Sequence, residues 1–333
     1  MSADHPAPYP WQDKAWSQLA MARHQGRLGH AWLVSGRPGM GKSAFTGALV
    51  RAVLCEKGGD AACGSCRSCL LMTAGSHPDF CSVEIPEDKS GILIEQIRDL
   101  NEFFTLSGHY GRAKVALIRP AEAMNRSAAN ALLKLLEEPP PSGLLILESA
   151  RPDLLLPTLR SRCQRISLDG IGVAEALSWL ATQLPDTTPE AVEALFLLGG
   201  RAPLGALAAQ EAGLPALLGK LVPQMVGVAR GRIHAVQAAQ SLGEASVPAI
   251  ADLMQRLVHA VITAGAGFAP RAEVTDLLAL RDVLHSRALF GFLAEVMEVK
   301  RLATSAATLR QADLGETLWL AWMKATRTRR RRA

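Results

Sequence analysis

The segment Gly36-Arg37-Pro38-Gly39-Met40-Gly41-Lys42-Ser43 matches G-x-x-x-x-G-K-[ST] at every position, and its surroundings narrow the choice of fold. An apolar run, AWLVSG over 31–36, leads into it, and SAFTGALVRAVL continues from it with helical character. A strand that ends in a glycine-rich turn opening a helix lets backbone N–H groups close around phosphate oxygens. In that geometry the helix N-terminus adds partial positive charge, Lys42 reaches the outer phosphates and Ser43 can ligate magnesium. A glycine-rich turn that binds nothing is the plainer reading. Motif and context together point instead to a site for ATP or ADP built on Gly36, Gly39, Gly41, Lys42 and Ser43.

Four further runs, DFCSVEI (79–85), KVALIRP (114–120), GLLILES (143–149) and QRISL (164–168), read as buried strands separated by amphipathic segments. That alternation predicts an α/β domain with a parallel sheet covered by helices on both faces. One intervening helix is clearly marked: Ser127 can cap it, Leu132, Leu133 and Leu136 line one side, and Pro139 to Pro141 end it. After Gly170 the sequence reads as Ala/Leu-rich helices, broken near 184–190, 197–205 and 265–270.

Hydrolysis is a separate matter from binding. Phosphate-loop enzymes usually hold magnesium through a carboxylate at the end of a neighbouring strand. In VALIRPAEAM the corresponding places hold Arg119 and Pro120. An arginine cannot coordinate a dication, and its charge would compete with the metal for the phosphates. Glu122 follows two residues later, where the strand is expected to have ended.

Cys55, Cys63, Cys66 and Cys69 cluster with the spacing C-x7-C-x2-C-x2-C. In a reducing compartment this reads as a metal site, since four thiolates satisfy tetrahedral zinc and leave no open position. Zinc here would be structural, a staple for an insertion over 55–69. Two disulfides or an iron–sulfur cluster are the other readings. His77 lies too far along to be needed as a ligand, and Cys81 and Cys163 stand alone.

At 333 residues the chain exceeds the length at which one core usually stops growing, so more than one domain is expected. With 49% hydrophobic and 20% charged residues it is too apolar to be extensively disordered. The opening MSADHPAPYP lacks the apolar core of a secretory signal, and no run of about 18 uncharged apolar residues occurs. A cytoplasmic protein with no membrane partner is expected. The net charge of +5 owes much to the closing RTRRRRA, where Arg327 and Arg329 to Arg332 form a cationic tail that either approaches nucleic acid or is simply solvated.

Taken with GRLGHAWLVSGRPGMGKS (26–43), GSHPDF (75–80), NALLKLLEEPP (130–140) and LRSRC (159–163), these features resemble the delta-prime family of bacterial DNA polymerase III clamp-loader subunits, within the AAA+ superfamily. The resemblance runs in order along essentially the whole chain, with the helical C-terminal third carried mainly by size and position. It implies three parts: an AAA+ phosphate-loop domain with a zinc module over 1–166, a small helical lid over 167–207 and an all-α collar over 208–333. It also implies a five-membered ring with delta and three gamma or tau subunits, which opens the sliding clamp and sets it on primed DNA.

In that family the SRC segment carries an arginine finger, which falls on Arg162. A guanidinium projected across a subunit boundary stabilises charge spreading over a neighbour's γ-phosphate. The acidic pair of hydrolysing relatives falls on Arg119 and Pro120, and their sensor arginine falls near Leu204, with Arg201 close by. No intrinsic hydrolysis is therefore expected. Two other readings fit fewer of these features. A self-contained ATPase or nucleotide kinase with structural zinc explains the loop and cysteines but neither Arg119 nor SRC. A zinc-dependent DNA-binding repair protein rests mainly on the basic tail.

Overall fold

A computed structural model describes residues 8–106, 108, 113–242, 245–265, 277, 280, 284–303 and 310–327. The arginines at 329–332 lie outside these residues, as does most of the break expected at 265–270. The chain divides into two compact units, Met1–Ala208 and Ala209–Ala333.

In the first unit the five apolar runs form five strands: β1 (Ala31–Ser35), β2 (Phe80–Val83), β3 (Lys114–Ile118), β4 (Gly143–Ser149) and β5 (Gln164–Ser167). All pairings are parallel, and the sheet order is β2-β3-β4-β1-β5. This parallel α/β sheet fits the AAA+ architecture that the sequence resemblance implies. The helices are α1 (Asp13–His24), α2 (Lys42–Leu54), α3 (Arg67–Thr73), α4 (Ile94–Thr105), α5 (Arg126–Glu137), α6 (Pro157–Arg162), α7 (Val173–Gln183) and α8 (Pro189–Leu198), with α9 (Pro203–Glu211) at the unit's end.

The central strands β1, β3 and β4 are largely apolar without alternation because both faces of the sheet are covered there, whereas the edge strand β5 exposes Gln164, Arg165 and Ser167. Leu33, Ala116, Ile118, Leu145 and Leu147 pack with Ile97 and Leu100 of α4, Leu132 and Leu136 of α5, and Leu159 of α6. Their neighbours Trp32, Val34, Val115, Leu117, Leu144 and Ile146 pack with Leu19 of α1 and with Phe45 and Leu49 of α2. Successive strand residues point to opposite faces, so each run feeds two cores at once.

Two details of α5 differ from expectation. The helix starts at Arg126, one residue before Ser127, and Asn125 caps it by accepting a hydrogen bond from Ala128 N–H at 2.8 Å. Asn125 can do this because its backbone is extended, as an N-cap requires, whereas Ser127 is already helical. Leu135 is buried with Leu132 and Leu136, while Leu133 lies at the margin of the core. The helix does end before the prolines, at Glu137.

Beyond Ser167 every regular element among the described residues is a helix. The second unit contains α10 (Leu214–Ala229), α11 (Ala235–Ser241), α12 (Val247–Gly265), α13 (Ser286–Ala303) and α14 (Gln311–Arg327). Phe292, Trp319 and Trp322 are its largest buried side chains. Trp322 satisfies its indole N–H on the Met225 carbonyl at 2.9 Å, which fixes α14 against α10. Among the described residues no single helix is long and apolar enough to cross a membrane.

Candidate functional site

The sheet order puts β1 between β4 and β5, so the segment leaving β1 emerges at a switch point on the carboxyl edge, where open α/β sheets bind ligands. That segment is the glycine loop. Gly39 (φ 81°) and Gly41 (φ 78°) adopt left-handed backbone, which favours glycine. A Cβ on Gly39 would come within 2.5 Å of Gly205 N, and one on Gly41 within 2.8 Å of the Tyr9 ring. Gly41 is the N-cap of α2 and supplies no side-chain cap, which leaves the helix's first N–H groups available to an anion.

The loop is braced from outside. Leu204 N–H donates to Gly39 O at 3.1 Å. Arg37 donates from its backbone N–H (2.9 Å) and from Nε (3.1 Å) to Asp169 Oδ1, and from Nη1 to Gly200 O (3.2 Å). Gln12, fully buried, and Trp11 both donate to Met40 O, at 2.8 and 3.1 Å. Arg201, exposed with φ 59°, follows Gly200 in the same turn. Lys42 Nζ donates to Arg37 O at 3.2 Å. Burial lowers the Lys42 pKa, and the charges of Glu148, Glu122 and Asp169 oppose that shift.

At the end of β3, Arg119 turns to Glu84, donating from Nη2 at 2.7 Å and from Nε at 3.0 Å. Burial works to raise the Glu84 pKa, but hydrogen bonds from Arg119 and Ser82 and the Arg119 charge outweigh it and hold the carboxyl below its ordinary value. Arg119 is thus held in an ion pair with Glu84 at the end of β3, where the sequence placed a cation instead of an acid. Glu122 sits in the 3-10 turn Ala121–Ala123 beyond the strand and accepts from Ala150 N–H at 3.0 Å.

On β4, next to β1, a carboxylate faces the loop. Glu148 is only 6% exposed, and its Oε1 accepts from Ser43 Oγ at 2.7 Å and its Oε2 from Thr46 Oγ1 at 2.9 Å. The hydroxyl that a phosphate loop offers to a cation is therefore oriented by an acid from the neighbouring strand.

The four cysteines converge at the end of α2 and the start of α3, with their sulfurs all within 4.8 Å of one another. Cys55–Cys66 and Cys63–Cys69 sulfur distances are 4.0 and 3.9 Å. These exceed a disulfide bond of about 2.05 Å and approach the spacing of about 3.8 Å set by a tetrahedron of about 2.3 Å metal–sulfur bonds. Backbone N–H groups of Cys63, Cys66 and Cys69 point at the sulfurs of Cys55, Cys63 and Cys66 at 3.3 to 3.4 Å, as suits thiolates. The donor set fits one metal ion held by four sulfurs. His77 serves differently: its Nδ1 accepts from Asp79 N–H, so Nε2 carries the proton and donates to Ser68 Oγ at 2.7 Å, and Ser68 donates to Leu54 O. This buried chain ties α3 to the end of α2 and the approach to β2.

Arg162 ends α6 with its side chain 38% exposed, paired through Nη2 with Glu137 Oε1 at 2.7 Å and donating from Nη1 to Thr158 O.

The sequence matches the family described as DNA polymerase III, delta subunit, over residues 11–171. It is 40% identical over 246 residues to DNA polymerase III subunit delta-prime of Pseudomonas aeruginosa, covering 73% of this chain and 74% of that one. The chain belongs to the DNA polymerase III delta-prime family. The delta-prime subunit of Escherichia coli is 37% identical over 193 residues, 58% of each chain. DNA polymerase III subunit tau of the same species is 29% identical over 259 residues, 76% of this chain and 40% of tau.

In this delta-prime family member, sequence reasoning missed Glu148, Glu137, Asp169 and the Ser68–His77 pair. Glu148, Asp169 and Glu137 act on residues 105, 132 and 25 positions away, whereas Ser68 and His77 are only nine apart. An acid inside the otherwise apolar run LLILES was the one available signal for Glu148.

Proposed function

We propose that this chain is a clamp-loader subunit that completes the ATP site of a neighbouring gamma or tau subunit with Arg162 and turns over no nucleotide of its own. The observation that carries the reading is Arg162 itself, a partly exposed guanidinium at the end of a helix, held by one exposed carboxylate that a phosphate can replace. The ion pair of Arg119 with Glu84 at the end of β3 supports the absence of turnover. The braced glycine loop supports binding of ATP or ADP, and the four cysteines support a structural zinc ion.

The lid (167–207) and the assembly collar (208–333) belong to this same proposal, as do delta, the sliding clamp and primed DNA as partners within the complex. Reconstitution with delta and gamma or tau tests it. With Arg162→Ala the complex should still assemble while its ATP turnover falls, and Lys42→Ala in this chain should leave turnover intact. Undiminished turnover with Arg162→Ala would remove the proposed role.

The contact of Ser43 with Glu148 favours a second reading, a self-contained ATPase. Phosphate release by the purified chain alone, abolished by Lys42→Ala, would establish that reading instead.

A further inference from the structure

The end of β3 lacks its acid, yet the loop retains Ser43, whose hydroxyl has a use in phosphate binding chiefly as a cation ligand. Ser43 Oγ gives its hydrogen to Glu148 Oε1, which leaves the oxygen's lone pairs free. Glu148 is held by two hydroxyls of the first two turns of α2, one on each oxygen, so each carboxylate oxygen keeps a second acceptor position. A second observation comes from Glu122. Its Oε2 is buried and finds no hydrogen-bond donor among the described residues, while its Oε1 is fixed on Ala150 N–H, two positions beyond Glu148. Buried carboxylate oxygens without a donor call for a water or a cation. Both carboxylates act electrostatically on Lys42.

We propose that Glu148 supplies, from β4, the carboxylate of a divalent-cation site on Ser43, so that the phosphate loop holds a nucleoside di- or triphosphate as its magnesium complex. Glu122 supplies further negative charge beside that site. The proposal rests on the reading of the loop as a nucleotide cradle, and it assigns binding, not hydrolysis. The electrostatics give the site a signature. Without a dication, Glu148 repels the phosphates; with one between them, the same carboxylate attracts.

Titration of the full-length protein with a fluorescent N-methylanthraniloyl ADP tests this, in buffer freed of divalent ions by dialysis and in the same buffer with magnesium. Zinc content is checked, because a strong chelator would also strip the cysteines. The wild-type chain should bind at least about tenfold more tightly with magnesium than without. Glu148→Gln should bring that ratio close to one while leaving metal-free affinity equal or higher. Should the glutamine variant fail to fold, Glu148→Asp, which withdraws the charge by one methylene, should also lose most of the ratio.

A ratio that survives both substitutions overturns the proposal, as does tightening by Glu148→Gln to the same factor with and without magnesium, which would make the carboxylate purely repulsive. Those two results leave the nucleotide cradle standing. Absence of any nucleotide binding by the wild-type chain would overturn both.

Discussion

Glu137 at the end of α5 accepts a hydrogen bond from Arg162 at the end of α6, at 2.7 Å, and so holds in place the guanidinium proposed above to act on a neighbour's ATP. The pair is exposed, with side chains 38% and 53% accessible, so water screens most of its attraction. Arg162→Ala and Glu137→Ala should each change stability by less than about 1 kcal/mol, with a coupling in the double variant of a few tenths of that. Urea denaturation of the isolated chain provides the check. A larger loss would mean that reduced turnover in a complex with Arg162→Ala reports unfolding rather than a missing finger.

The cysteine cluster should make the first unit metal-dependent. Backbone N–H groups, chiefly that of Ser65, lower the Cys63 thiol to about 6, whereas burial pushes Cys69 up to about 12. A metal ion held by the four sulfurs, zinc in the proposed reading, must displace the Cys69 proton at neutral pH, and below about pH 6 it must compete for Cys63 as well. Zinc retention should therefore weaken as pH falls, most steeply below about 6. Colorimetric assay of released zinc follows this, and equal retention at pH 5 and pH 8 would refute it. Cys69→Ser should abolish stoichiometric zinc and lower Tm, because it removes one of the four sulfurs that would hold the ion across the insertion.

The pairing of Arg119 with Glu84 has a pH signature of its own. The Glu84 carboxyl lies below its ordinary value in the folded protein. Its contribution to stability is therefore present above the unfolded carboxylate range and is lost as pH falls through the folded value. Arg119→Met should raise the Glu84 pKa, as read by carbon-detected NMR titration, and remove that part of the acid dependence. A Glu84 titration that does not move would show that Arg119 is not its main stabilising partner.

Much of the fold could be read from local pattern. All five expected strands formed within one or two residues of their expected ends, and for the central β1, β3 and β4 the reason is that a parallel strand buried on both faces leaves a dense apolar run. The end of α5 was equally legible, since proline cannot continue a helix. Its start was not: Asn125 and Ser127 are both competent caps, and the choice follows from which residue the preceding turn holds in extended backbone. Leu135 replaces Leu133 in the core for a similar reason, since a few degrees of helix rotation, set by packing on the sheet, decide which flank turns inward.

The chain's own order of residues determined the glycine loop, the four-cysteine spacing and the absence of an acid at the end of β3. These are short stretches whose chemistry depends on neighbours only a few positions away. Tertiary structure alone decided that β4 lies beside β1, and hence that Glu148 meets Ser43, that Arg119 meets Glu84 and that Glu137 meets Arg162. Strand order and helix packing create those encounters. They arise from burying both faces of one sheet, a condition that no local run of residues encodes.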